Sequence, residues 1–243
     1  MNLKERLKLW YDNEKRLSLL QRTAKEIRSY AVQKKVLGTL LACLVALTSI
    51  LYITAALYKN TGSFTVGVDK VDLTEYGLTL SKTRDMEFST SHLSAKINER
   101  ITNISKNDLP ANLDQIDGEH NGENYIAFTF YLQNAGDGDA PYEYELTISG
   151  VTKGLDEATW VRLYVNGEET TYAKTASDGS GPEPGTTPFY SAGVVTRGRV
   201  DKFAPGETAK FTIVVWLEGT DPDCVDRVIE GLARFEMNFK VVH

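Results

Sequence analysis

The sequence predicts a mainly β fold, one antiparallel sandwich, preceded by a transmembrane helix and an N-terminal amphipathic helix. Three observations carry this: charge is partitioned along the chain, one long run has no charge, and past residue 62 the hydrophobic period changes from helical to alternating. The net charge of −6 over 243 residues, with 42% hydrophobic and 25% charged, conceals the partition. Residues 1–35 hold ten Lys/Arg against four Asp/Glu, residues 36–58 hold neither, and residues 59–243 hold 17 Lys/Arg against 29 Asp/Glu. The expected organisation is therefore a basic cytoplasmic segment (1–35), a membrane signal anchor (36–58) and an acidic extracellular β domain (59–243). A collagen-like repeat, a polar disordered chain and a disulfide-stapled mini-domain are all excluded by the composition.

In the first segment Leu3, Trp10, Leu17, Ala24 and Ala31 recur every seven residues, and Leu20 and Ile27 join them at the second seam position. Arg6 and Asn13 occupy the matching earlier positions, so the pattern supports an amphipathic helix but not a strong coiled coil. Such a helix could lie on the anionic inner leaflet, meet a cytoplasmic partner or serve only as a basic topology signal.

Val36 to Tyr58 reads VLGTLLACLVALTSILYITAALY, without charge or proline. As a helix these residues reach roughly 34 Å, against about 30 Å of bilayer hydrocarbon. A buried soluble helix of that length usually carries a polar stripe, and this one has none. Lys34 and Lys35 precede the run and only Lys59 and Lys70 follow it closely, so the N-terminus is expected in the cytoplasm and the acidic domain outside. Thr54-Ala55-Ala56 is a weak cleavage match, and the run exceeds the usual signal core. An uncleaved anchor in the lipid bilayer is thus expected, with removal by signal peptidase, and secretion, as the alternative. Tyr52 and Tyr58 suit the outer interface. Gly38, Ala42 and Ala46 share one helix face and could admit a second helix closely.

Eight runs rich in Val, Ile, Thr, Tyr and Phe then read as strands: residues 63–68, 125–133, 142–149, 160–165, 170–174, 189–195, 210–217 and 234–242. Ile126, Phe128, Phe130 and Leu132 fall on one face of the second. Asn166-Gly167 is a hairpin signal, because both central positions of a type I′ turn need positive φ. Residues 85–109 read as a strand-poor excursion with a short helix, 177–188 (SDGSGPEPGTTP) as a loop, and 223–232 as a short helix capped by Asp223. Cys43 lies in the apolar run and Cys224 in the β domain, so no internal disulfide is expected.

Chemical motifs are scarce. His92, His120 and His243 are scattered, with no HExxH pair, GxSxG elbow, P-loop or dinucleotide fingerprint. Two acidic loops, DQIDGEHNGE (114–123) and EGTDPDCVD (218–226), offer the oxygens calcium needs, and Asp117, Glu119, Asp221, Asp223 and Asp226 are the candidate ligands. With 29 carboxylates in the domain such clusters arise easily, so solvated turns are the favoured reading of both loops, and no other cofactor is expected. The acidic balance argues against nucleic acid.

FTIVVWLEGTDPDCVD (211–226), PEPGTTPFYS (182–191) and GSFTVGVD (62–69) together resemble exported proteins of the TasA/camelysin family of Gram-positive bacteria. The resemblance covers most of residues 62–243 and not the cytoplasmic helix. It implies a jelly-roll-like sandwich displayed or secreted outside the cell, in some members as biofilm matrix fibres in which a strand freed after signal removal completes a neighbour's sheet. The corresponding segment here is Ser63, Phe64, Thr65, Val66, Gly67 and Val68, which a retained anchor would tether at the bilayer. Camelysin itself is described as a metalloprotease, but no catalytic residue carries over. The expected role is a membrane-anchored surface protein with a structural or interaction function through self-association or other envelope proteins. The alternatives are a cleaved fibre subunit assembling by strand addition and a metal-dependent peptidase.

Overall fold

The structure is a computed structural model that describes residues 3–59, 62–69, 76–96 and 101–242. It divides into two compact units, residues 1–59 and 60–243. The first is one helix, α1 (Leu3–Lys59). Two helices were expected, but no break separates the basic half from the apolar half. The junction Gln33-Lys34-Lys35-Val36 contains neither Pro nor Gly, so nothing interrupts the hydrogen-bond ladder. Along the seam Leu3, Trp10, Leu17 and Leu20 are exposed, each by more than half. The side chains of Ala24, Ile27, Ala31, Tyr58 and the Thr54–Ala56 site lie outside the described residues, as does all of His243.

The second unit is mainly β. Its strands are β1 (Ser63–Val68), β2 (Leu78–Ser81), β3 (His92–Ala95), β4 (Asn103–Ile104), β5 (Gly118–Glu119), β6 (Tyr125–Asn134) and β7 (Tyr142–Ser149). There follow β8 (Thr159–Val165), β9 (Glu168–Ala173), β10 (Thr187–Pro188), β11 (Val194–Val200), β12 (Thr208–Glu218) and β13 (Arg234–Val241). One sheet runs β11-β7-β13-β1-β3, and the other runs β10-β9-β8-β12-β6-β2, with β4 beside β12 and β5 beside β6.

A purely antiparallel arrangement was expected, and the sheets are mixed. β1 runs parallel to β13, β10 to β9 and β4 to β12. A parallel pair needs a long crossover, and β1 and β13, the first and last strands, have nearly the whole domain between them. The Asn166-Gly167 hairpin forms as expected: φ is +52° at Asn166 and +89° at Gly167, and Val165 faces Glu168 across the turn.

Both sheets contribute to one apolar core. Ile126, Phe128, Phe130 and Leu132 all enter it. Phe64 of β1 meets Phe128 of β6 edge-on with centroids 5.6 Å apart, and Phe130 meets Phe239 of β13 at 6.1 Å. A second cluster on the opposite face of the larger sheet joins Trp160, Tyr164, Val214 and Trp216 to Leu109 and Leu113. The excursion is therefore a cover for that face. Among the described residues it contains β3, β4 and a 3-10 turn, Lys106–Asp108. With both faces covered, β12 is buried almost throughout.

Two further expectations fail for tertiary reasons. The run 189–195 is not one strand, because Ser191 and Val194 exchange backbone hydrogen bonds in a tight turn and the chain passes there from one sheet to the other. The helix expected over 223–232 is a single 3-10 turn, Asp226–Val228. Asp223 does not cap it, since its carboxylate is taken by Ser177, and Glu230 adopts φ +59°.

Candidate functional site

Lys34–Ile53 is a helical stretch long and apolar enough to cross a membrane, with mean hydropathy 2.4 and none of it buried against protein. Gly38, Ala42 and Ala46 lie on it, all exposed, and a Cβ added at Gly38 would meet nothing within 4 Å.

β1 begins shortly after α1 ends. Phe64, Val66 and Val68 point inward and Ser63, Thr65 and Gly67 outward. On one side the strand pairs with β13 and on the other, antiparallel, with β3. The segment singled out for strand addition thus fills a slot in its own sheet. Neither backbone edge is left open over Phe64–Gly67.

The first acidic loop is occupied by partners of its own. Asp117 accepts a hydrogen bond from the Tyr131 hydroxyl at 2.6 Å, and burial together with that carboxylate pushes the phenol up to about 12. Glu119 accepts from Lys82 Nζ at 2.5 Å and from the Lys96 backbone N–H at 3.2 Å. Burial raises its pKa, but these cationic and hydrogen-bond partners win and the net direction is down. Among the described residues, Asp117 and Glu119 are not assembled into a group of three ligands.

The second acidic loop is built from the end of β12. Glu218 is fully buried and accepts from Trp216 Nε1 (2.9 Å), Thr220 Oγ1 (2.6 Å), Thr220 N–H (3.2 Å) and Lys106 N–H (2.8 Å). Asp221, also buried, accepts from Trp160 Nε1 at 2.7 Å and from the Asp223 N–H at 2.8 Å. Asp223 receives the Ser177 N–H at 2.9 Å and the Ser177 hydroxyl. That pair of bonds brings the Gly/Pro loop 177–188 against the loop after β12. Asp226 is exposed and stays apart.

With the two loops joined, Glu183 meets Asp221 and Asp223: carboxylate oxygens of the three lie within 4.8 Å of one another. Glu183 stands between Pro182 and Pro184 and is only 8% exposed. Burial raises its pKa, and the charges of Asp221, Asp223 and Asp178 raise it further. Sequence reading missed Glu183. The available signal was a lone carboxylate held between two prolines, which restrict the backbone on either side. His92 is exposed on β3, and His120 faces the Gly118 carbonyl with Nδ1 at 2.9 Å; neither joins the carboxylates. Cys43 and Cys224 are both free thiols.

No family model and no curated protein matches the chain. The donor set therefore defines the chemistry on offer: three carboxylates, no imidazole and no thiolate, a set suited to hard cations.

Proposed function

We propose that this chain is a membrane-anchored cell-surface protein that displays an acidic, jelly-roll-like β-sandwich outside the cell for a structural or interaction role. The observation that carries the reading is the Lys34–Ile53 stretch, 20 residues of mean hydropathy 2.4 with no protein packed on it. In water such a surface is unfavourable, whereas in a bilayer it is satisfied. The basic segment before it favours a cytoplasmic N-terminus. Two sheets meeting through Phe64, Phe128, Phe130 and Phe239 support the sandwich, and the motifs quoted above support kinship with TasA/camelysin proteins. Binding would then use exposed backbone edges and the small-residue face of the helix rather than a reactive side chain.

Mass spectrometry of the mature N-terminus tests this. A chain retaining residues 1–58 is expected, and a start between Ala55 and Ser63 would sink the anchor.

One observation favours the cleaved fibre subunit as a second reading: β1 directly follows the apolar helix and sits between β13 and β3. If the helix were removed, the same slot could receive the β1 strand of a neighbouring copy. The peptidase alternative lacks such support, since peptidase zinc sites use imidazole and the donors assembled among the described residues are carboxylates alone.

A further inference from the structure

Four carboxyl side chains are buried among the described residues: Asp156, Glu183, Glu218 and Asp221. Asp156 is paired with Lys174, Glu218 receives four donors, and Asp221 receives the Trp160 indole and a backbone N–H. Glu183 is the exception. More than nine-tenths buried, its carboxylate has no hydrogen bond or ion pair among the described residues, and it is aimed at two further carboxylates. Its oxygens keep a small contact with solvent, yet a carboxylate so far covered, without a partner and beside like charges, is unfavourable. Lys106 does not relieve it, since its Nζ donates to the Pro184 carbonyl at 3.1 Å and lies over the Trp160 ring.

We infer that Glu183, Asp221 and Asp223 form a binding site for a hard divalent cation, calcium, which ties the 177–188 loop to the loop after β12. The oxygens lie within 4.8 Å of one another, no farther apart than two calcium–oxygen bonds of about 2.4 Å end to end. The hydrogen bonds already made to Asp221 and Asp223 do not block a metal, because a carboxylate has about four lone-pair sites. Trp160 and Ser177 instead act as the outer partners that orient the ligands. Three negative ligands from two loops, completed by water, suit the larger and more flexible calcium sphere better than the strict octahedron of magnesium. The site is independent of whether the helix is retained, so the N-terminal mass measurement does not bear on it.

The test uses the full-length chain in non-ionic detergent, stripped of metal with a chelator. Calcium binding is measured by calorimetry, and terbium is added as a luminescent calcium substitute excited through tryptophan, Trp160 being hydrogen-bonded to the ligand Asp221. A single calcium per chain is expected, with Kd on the order of 10⁻⁴ M or tighter, and calcium should displace the terbium signal. Glu183→Gln should weaken calcium by at least about tenfold, the lower end of what even an outer partner costs. Without calcium that variant should melt no lower than the parent, because it removes an unpaired charge. Asp223→Asn should lose calcium likewise, and Asp117→Asn should retain it. The proposal is overturned if the parent shows no heat and no terbium signal by roughly 10 mM. It is equally overturned if Glu183→Gln and Asp223→Asn bind as the parent does, or if magnesium or zinc is preferred to calcium at equal concentration.

Discussion

Glu218 has no contact with solvent, yet it is held as a carboxylate by the donors that converge on it. Burial raises its pKa, but the Thr220 and Trp216 side chains and two backbone N–H groups outweigh burial, leaving it below 4.5. A lowered folded pKa means that the stability it contributes is complete above the unfolded value and is lost as pH falls through the folded one. Replacing Glu218 by Gln would remove the charge and point an amide at donors, at a cost of roughly 1–3 kcal/mol. Urea denaturation across pH should show this loss at pH 7 together with a shallower fall of stability below 4.5. Gly198 makes a different point at the same scale. It lies opposite Tyr144 in the β11–β7 pair, and a Cβ there would sit 2.1 Å from the ring. Tyr144 covers the glycine and packs edge-on against Phe211 at 5.4 Å. Gly198→Ala should therefore cost about 1–3 kcal/mol in the parent and much less in a Tyr144→Ala background, a coupling that a double-mutant cycle measures.

Among the elements, β1 is held on both sides despite its shortness. It has a partner on each side, and Phe64 and Val66 are essentially inaccessible. Phe64→Ala should destabilise the β domain by about 3–5 kcal/mol, read from the midpoint of chemical denaturation; a change under about 0.5 kcal/mol would mean that β1 is not docked. The elements also show what sequence pattern can and cannot mark. Ser63–Val68 and Tyr142–Ser149 were legible to the residue, because one face alternates with the other. β2 was missed because it is only four residues long: Leu78-Thr79-Leu80-Ser81 alternates in sequence, but too briefly to mark a strand, and all four residues are buried. The helix foreseen after Asp223 was a sound local inference that lost to a distant one: Ser177 claimed the capping carboxylate.

At the scale of the whole molecule, a helix with an apolar stretch and a separate acidic β unit make topology the main functional question. Single cysteines at exposed positions answer it in a background lacking Cys43 and Cys224. Ser180→Cys in the 177–188 loop should react with a membrane-impermeant maleimide on intact cells, and Ser18→Cys in α1 should react only after lysis. The opposite pattern would invert the proposed orientation. The charge partition makes this orientation an expectation of general electrostatics, since basic residues stay on the cytoplasmic side.

By itself the sequence determined the membrane-length run, the charge division around it, the Asn166-Gly167 hairpin and most long strands. All of these depend on neighbours within a turn or on a short period, so local physics suffices. Tertiary structure decided the parallel pairing of β1 with β13, the covering of the larger sheet by Leu109 and Leu113, and the meeting of Glu183 with Asp221 and Asp223. These contacts join residues far apart in the chain, and their energies come from burial and charge, which no local pattern records. Glu183 is the clearest case: between its two prolines it looks like one more solvated loop residue, and only the docking of a second loop covers most of it and supplies its two negative neighbours.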